Sequence, residues 1–306
     1  VNRANLLLLA AVILWGMTIV PTKWALESFP PFTLIVFRLV LAGLIFLPYT
    51  WHKATSRQRA VRIPWRRISL LSFTGVAGYF LFNYSGVALT SGVNASIITA
   101  SLAFFTLLLA AFALKEKISV PQWVGLFLGT LGVFLITVQP EAQTGSSLWG
   151  DLLVLVSQLF WAIYVVQMKR PQEEAQLPSD LFTALTLTVG GLMVLPFAAV
   201  EASLHGWAVP SVKAVASLFF LIVGPTILAY LCWNKAIEYT SASRAGIYLN
   251  AIPLISVLGS VGLLGERVTW KTLLGGTLVL AGVFWAERHP RQERAVGVPN
   301  ESELTG

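Results

Sequence analysis

The chain has 306 residues, 56% of them hydrophobic and 11% charged, and its mean hydropathy of +0.74 excludes an ordinary soluble globular protein. Its formal charge of +7 clusters in short connections between apolar runs, where membrane orientation accounts for it and no nucleic-acid partner is expected. The single cysteine, Cys232, and three histidines, His52, His205 and His289, all in polar connections, leave no disulfide framework, metal-ligand cluster or cofactor motif, and weigh against an embedded enzyme.

A bilayer core of about 30 Å needs about 20 apolar residues per helix. Ten such runs follow one another, over 5–27, 31–51, 67–89, 93–114, 119–138, 148–168, 179–200, 211–237, 243–264 and 268–287. Backbone groups in lipid must be satisfied within the span, so the runs are expected to be helices, and the alternation of a β-barrel is absent. The expected fold is an all-α membrane protein of ten transmembrane helices. The first run is too long for the apolar core of a signal peptide and reads as a mature helix. Val1 and the polar tail, 288–306, are expected to be trimmed or mobile and without function.

In chain order, helix 1 places Trp15 and Thr18 on one face and carries Pro21. Helix 2 holds Arg38, whose charge requires partners at that depth. Helix 3 offers Tyr79 and Asn83 at i, i+4, and helix 4 offers Ser101 and ends at Glu116. Gly125, Gly129 and Gly132 in helix 5 fit close helix approach. Helix 6 carries Trp161 and Tyr164, helix 7 Pro196, and helix 8 the pair Gly224-Pro225, the expected hinge, then Tyr230, Trp233 and Asn234. Helix 9 has Tyr248, Asn250 and Pro253 and ends at Glu266, and helix 10 repeats the glycines at Gly275, Gly276 and Gly282. Glu116 and Glu266 are placed to hold a loop against a neighbouring helix N-terminus, as structural caps. No carboxylate falls at the middle of a run, which argues against a carboxylate proton relay.

Lysine and arginine placement orients the chain. With the N-terminus inside, Arg3, Lys53, Arg57, Arg66, Arg67, Lys115, Lys117, Lys169, Arg170, Lys235 and Arg244 share one face, whereas Lys23, Lys213, Arg267 and Lys271 take the other. Both termini are therefore expected in the cytoplasm.

The chain also repeats itself. Residues 90–134 align without a gap on 240–284, with Thr90 on Thr240, Ser91 on Ser241, Glu116 on Glu266, Gly125 on Gly275 and Gly132-Val133-Phe134 on Gly282-Val283-Phe284. About a quarter of positions agree, and matched glutamates and glycines in register are not a product of apolar bias. Trp15, Val20 and Lys23 fall on Trp161, Val166 and Lys169. The expected division is a first five-helix repeat over 1–138, a connector over 139–147 and a second repeat over 148–287. An odd helix number inserts the second repeat upside down.

The stretch 228–284, with Pro253 inside its helix, Gly265-Glu266-Arg267 at that helix's end and glycines in the next, resembles the second repeat of the EamA-type ten-helix exporters of the drug/metabolite transporter superfamily. The first repeat departs from that pattern, with Ala103 where the family often has proline and Lys115-Glu116-Lys117 in place of Gly-Glu-Arg. Within the superfamily, length and aromatic content look most like YddG-type amino-acid exporters. The resemblance implies export across a bacterial inner (plasma) membrane, with the lipid bilayer and a small molecule, an amino acid or related metabolite, as partners. Resemblance of Arg38-Leu39 to the family's arginine-phenylalanine signature implies a structural tie to helix-end carbonyls or Glu27, with direct anion binding as the functional alternative.

The expected substrate site lies at the midplane between the halves, lined by Trp15, Thr18, Tyr79, Asn83, Ser101, Trp161, Tyr164, Tyr230 and Asn250. Such groups do not face lipid tails cheaply, and aromatic walls with amides and hydroxyls suit zwitterionic or aromatic metabolites. The plain alternative is an aromatic belt or interhelical hydrogen bonding, above all for Trp233 and Asn234. Arg38, Glu116, Glu266, Pro225 and Pro253 are assigned structural or gating parts. Efflux of organic cations is the rival transport reading, weakened by the missing midplane carboxylate. A channel finds no filter-like loop in this sequence.

Overall fold

A computed structural model describes residues 3–57, 63–113, 118–137, 146–168, 177–205, 209–237, 248–249 and 251–287, and every regular element among them is helical. The elements are α1 (Arg3–Gly16), α2 (Ile19–Leu26), α3 (Pro31–Arg57), and α4 (Trp65–Leu71), which runs through a π-helical segment, Ser72–Gly78, into α5 (Tyr79–Leu89). Then come α6 (Gly92–Thr99), α7 (Leu102–Ala113), α8 (Val120–Thr137), α9 (Leu148–Met168) and α10 (Ser179–His205). Next, α11 (Val212–Leu221) runs through a second π segment, Ile222–Leu228, into α12 (Ala229–Ile237), followed by α13 (Ala251–Leu264) and α14 (Trp270–Glu287).

Among the described residues six helical runs are long and apolar enough to cross a membrane: Arg3–Leu26, Pro31–Ser56, Gly92–Ala113, Leu148–Met168, Ser179–Leu204 and Val212–Ala236. Three shorter apolar helices accompany them, Val120–Ile136, Ala251–Leu264 and Trp270–Trp285. The further run over 65–89 carries Tyr79, Asn83 and Tyr84 in its second half. Large apolar side chains such as Leu44, Phe112, Phe127, Phe219, Leu258 and Leu273 remain exposed, a surface suited to lipid rather than water. Trp51, Trp65 and Trp123 near one end, and Trp149 and Trp270 near the other, are exposed where interfacial aromatics belong. The chain is an integral multi-pass membrane protein.

Two runs break where the sequence demands it. Pro21 has no N–H and its ring crowds the carbonyl four residues back. The chain accordingly tightens at Met17-Thr18 between α1 and α2, where Thr18 N–H bonds Trp15 O at 3.1 Å. The bend between α6 and α7 at Ala100-Ser101 needs no proline: the Thr99 hydroxyl donates back to Ala95 O at 2.8 Å, an interaction that bends helices.

The helices pair as α3 with α10, α8 with α14, α6 with α13, α5 with α9 and α1 with α12. Exchanging the two halves of the chain converts this set into itself. The two π segments also fall at the offset that matches Thr90 with Thr240. Helices α8 and α14 touch backbone to backbone: a Cβ at Gly132 would lie 2.5 Å from Gly275 O, one at Gly275 2.6 Å from Gly132 O, and one at Gly282 2.5 Å from Gly125 O. Small residues make that approach possible.

Candidate substrate cavity

A cavity of ≈ 1540 Å³ lies between the helices and is lined from both halves of the chain. Seven of the nine expected wall residues meet on it: Trp15, Thr18, Tyr79, Asn83, Trp161, Tyr164 and Tyr230. Ser101 does not, since it is buried at the α6–α7 bend with its hydroxyl unpartnered, while its neighbours Ala100 and Leu102 reach the wall. Asn250 and Glu116 lie outside the described residues. Pro225 and Pro253 both line the cavity.

The aromatic wall forms two clusters of rings, Tyr79–Trp161–Tyr164 and Tyr230–Trp15–Trp233. Tyr79 packs on Trp161 with ring centroids 5.0 Å apart, Trp161 on Tyr164 at 5.1 Å, and Trp15 on both Tyr230 and Trp233 at 5.3 Å. Trp233 therefore belongs to the wall rather than to an interfacial belt. The Asn83 and Gln158 amides converge on the Ser157 hydroxyl at 3.3 and 3.0 Å. Gln158 precedes Trp161 by one helical turn on the same face of α9, a spacing that could have identified it from the sequence.

The second π segment positions the deepest polar groups. Pro225 cannot donate to Leu221 O, and the Thr226 hydroxyl bonds that carbonyl instead at 2.7 Å. The Ala229 N–H reaches Gly224 O, and the Trp15 indole N–H takes Pro225 O at 3.0 Å. One proline thus fixes both a wall tryptophan and a hydroxyl. That hydroxyl accepts from Arg38 Nε at 2.8 Å, while Arg38 Nη1 donates to the Tyr84 hydroxyl at 2.6 Å. The guanidinium stands 5.2 Å from the centre of the Phe80 ring. Arg38 thus ties α3 to α5 and to the second π segment, through hydroxyls rather than the expected carbonyls or Glu27. Glu27 is held instead by Lys213 at 2.7 Å. Tyr84, Thr226 and Phe80 carry no sequence signal of their own as partners of Arg38, because the pairing is created by packing between distant runs.

The two ends of the bundle differ. At the end where α5 finishes and α6 begins, Gly265 ends α13 in a left-handed conformation (φ 67°) that glycine tolerates. Glu266 then accepts from the Gly92 and Val93 N–H groups at 2.7 and 2.8 Å. These are orphan donors of the first turn of α6, where a carboxylate also meets the positive end of the helix dipole. Lys23 stands 3.7 Å from the same carboxylate. Beside it, buried Asp151 accepts from the Thr90 hydroxyl and from Asn94 Nδ2. Glu201 accepts from the N–H groups of Phe32 and Thr33 at 3.1 and 2.8 Å. From this latched end the cavity receives Ile19 and Thr22. It extends instead to the opposite end, where Pro64, Arg67, Met168, Leu177, Ser179 and Asn234 line it. There Asp180 accepts from Lys53 at 2.6 Å and from Asn234 at 3.0 Å.

The model of the EamA-like transporter family matches residues 2–138 and again 148–287. An "Uncharacterized transporter" of Archaeoglobus fulgidus is 30% identical over 91% of this chain and 96% of its own length. A "Probable amino-acid metabolite efflux pump" of Salmonella typhimurium is 25% identical over 92% of this chain and 94% of its own. A crystallographically determined chain superposes with a TM-score of 0.65 at 19% identity, covering 97% of this chain and 99% of that one, a likeness of fold alone.

Proposed function

The chain belongs to the EamA-like transporter family, and from that premise we propose that it is a secondary transporter exporting amino acids or related small metabolites. The observation that carries this reading is the cavity, walled by Trp15, Tyr79, Trp161, Tyr164 and Tyr230, extending to one end of the bundle while carboxylates tie the other. Aromatic faces offer apolar contact and attraction to an ammonium, and Asn83, Gln158 and Thr18 offer hydrogen bonds that orient a substrate. The relative named as an efflux pump supports export and this substrate class.

Transport proceeds by alternating access between two inverted five-helix repeats, 1–138 and 148–287, joined by 139–147. Both termini and the end to which the cavity extends face the cytoplasm of a bacterial inner membrane, in keeping with the lysine and arginine asymmetry. The Glu266 latch closes the outer end in this state, and the repeat gives Glu116 the corresponding part at the inner end. Gly224-Pro225 is the hinge. Purified protein in liposomes, challenged with labelled amino acids, nucleobases and organic cations, tests the proposal. Saturable flux of amino acids is expected, and flux confined to organic cations or absent from the whole panel contradicts it.

A further inference from the structure

Among the described residues, the charges that line the cavity are of one sign. Among the described residues lining it are Arg38 and Arg67 and no aspartate or glutamate. Arg38 is 5% exposed, and its Nε and Nη1 are engaged by neutral hydroxyls that cannot offset its charge. Among the described residues no carboxylate pairs with it. Arg67 stands near the beginning of α4, and its Nε and Nη2 are buried without a hydrogen-bond partner among the described residues. A guanidinium has five N–H donors and no acceptor and keeps its charge at any physiological pH. For Arg38, an uncompensated charge of this kind within the depth of a membrane is expensive and is tolerable while water fills the cavity. It becomes far less so when the walls close and that water leaves, unless an anion takes its place.

Resting on the reading of this cavity as the substrate path, we infer that the transported molecule must present a carboxylate or comparable anionic group. Arg67 receives it near the end of the cavity, and Arg38 holds it at depth beside Phe80 and Tyr84. The Thr226 and Tyr84 hydroxyls fix the orientation of the Arg38 fork, so that Nη2, which makes no bond among the described residues, is the nitrogen left for an incoming oxygen. The aromatic wall then takes the remainder of the molecule. An amine lacking a carboxylate would bring a cation beside two cations and is rejected.

The test uses the full chain, purified in detergent, with phenylalanine, phenylacetate, phenylalaninamide and phenethylamine as probes, read by tryptophan fluorescence and by the shift in unfolding temperature. Phenylalanine and phenylacetate are expected to bind, and the amide and the amine to bind more weakly by about tenfold or more, as loss of a charge-assisted hydrogen bond implies. Arg67→Gln should weaken both carboxylates about tenfold without lowering the ligand-free unfolding temperature, since Nε and Nη2 have no hydrogen-bond partner to lose. Arg38→Lys keeps the charge that folding needs and should still reduce carboxylate affinity, because an ammonium lacks the fork. Lys213→Gln, at the latched end, should leave affinity unaltered. Equal binding of all four probes, failure of both carboxylates to bind, or unchanged affinity in Arg67→Gln would overturn the inference. Flux of the same probes in liposomes separates the two ideas. Movement of the amines as fast as the carboxylates would leave a transporter without anion selectivity, whereas carboxylate binding without any flux would leave the anion site and remove transport.

Discussion

The latched end and the cavity end are built from equally apolar helices, yet they divide the polar chemistry between them. Of the carboxylates with described surroundings, Glu27, Asp151, Glu201 and Glu266 gather at the latched end, Glu27 receiving an ammonium and the other three backbone N–H, amide or hydroxyl donors. Asp180 alone of this group stands at the other end, shared by Lys53 and Asn234. Arg38 lines the space between, and Arg67 lines the cavity end. Glu201 and Glu266 cap helix N-termini at one end, whereas the charged residues that line the cavity among the described residues are basic.

The comparison predicts a graded set of effects. Glu266→Ala strips the first turn of α6 of its acceptor and leaves Lys23 alone, so it should lower stability by about 3 kcal/mol. Thermal unfolding in detergent measures this. In a Cys232→Ala background, a Thr22→Cys probe should also become accessible from the latched side. Asp151→Ala orphans the Thr90 hydroxyl and the Asn94 amide in a buried place and should cost about 2 kcal/mol. Little change there would mean that water takes over both donors. Trp15→Phe keeps the ring packed on Tyr230 and removes the bond to Pro225 O, and a loss of about 1 kcal/mol is expected in chemical unfolding. Lys213→Ala breaks an ion pair whose side chains are 48% and 53% exposed. It should change stability by less than about 0.5 kcal/mol, which a side-by-side melt with Glu266→Ala would display as the contrast between a capping carboxylate and an exposed pair.

Much of the architecture was legible. Apolar runs placed the helices to within a few residues, because lipid leaves the backbone few alternatives. Matched glycines in register marked the α8–α14 contact, since only small residues permit it. The wall aromatics were legible for a related reason: Trp15, Tyr79, Trp161 and Tyr230 are too polar for lipid and too far from the interfaces to be anchors. Asp151 and Glu201, by contrast, sit near run ends where acids are ordinary, and nothing in the sequence says that each will find a particular helix terminus or amide. The seat of Arg38 was equally hidden, because Pro225 creates it through a displaced hydroxyl on a run some 190 residues away. Ser101 shows the opposite failure, where the two-residue bend at Ala100-Ser101 turns a polar side chain from the cavity into the packing.

The central claim, that this cavity is the path of the substrate, is tested most directly by flux in liposomes through Trp161→Ala and Tyr79→Ala, each beside a thermal-unfolding control. A cavity wall supports less packing than a filled core, so both variants should fold and unfold close to the parent while losing most of their transport of amino acids. Parental rates for every accepted substrate in both well-folded variants would contradict the claim.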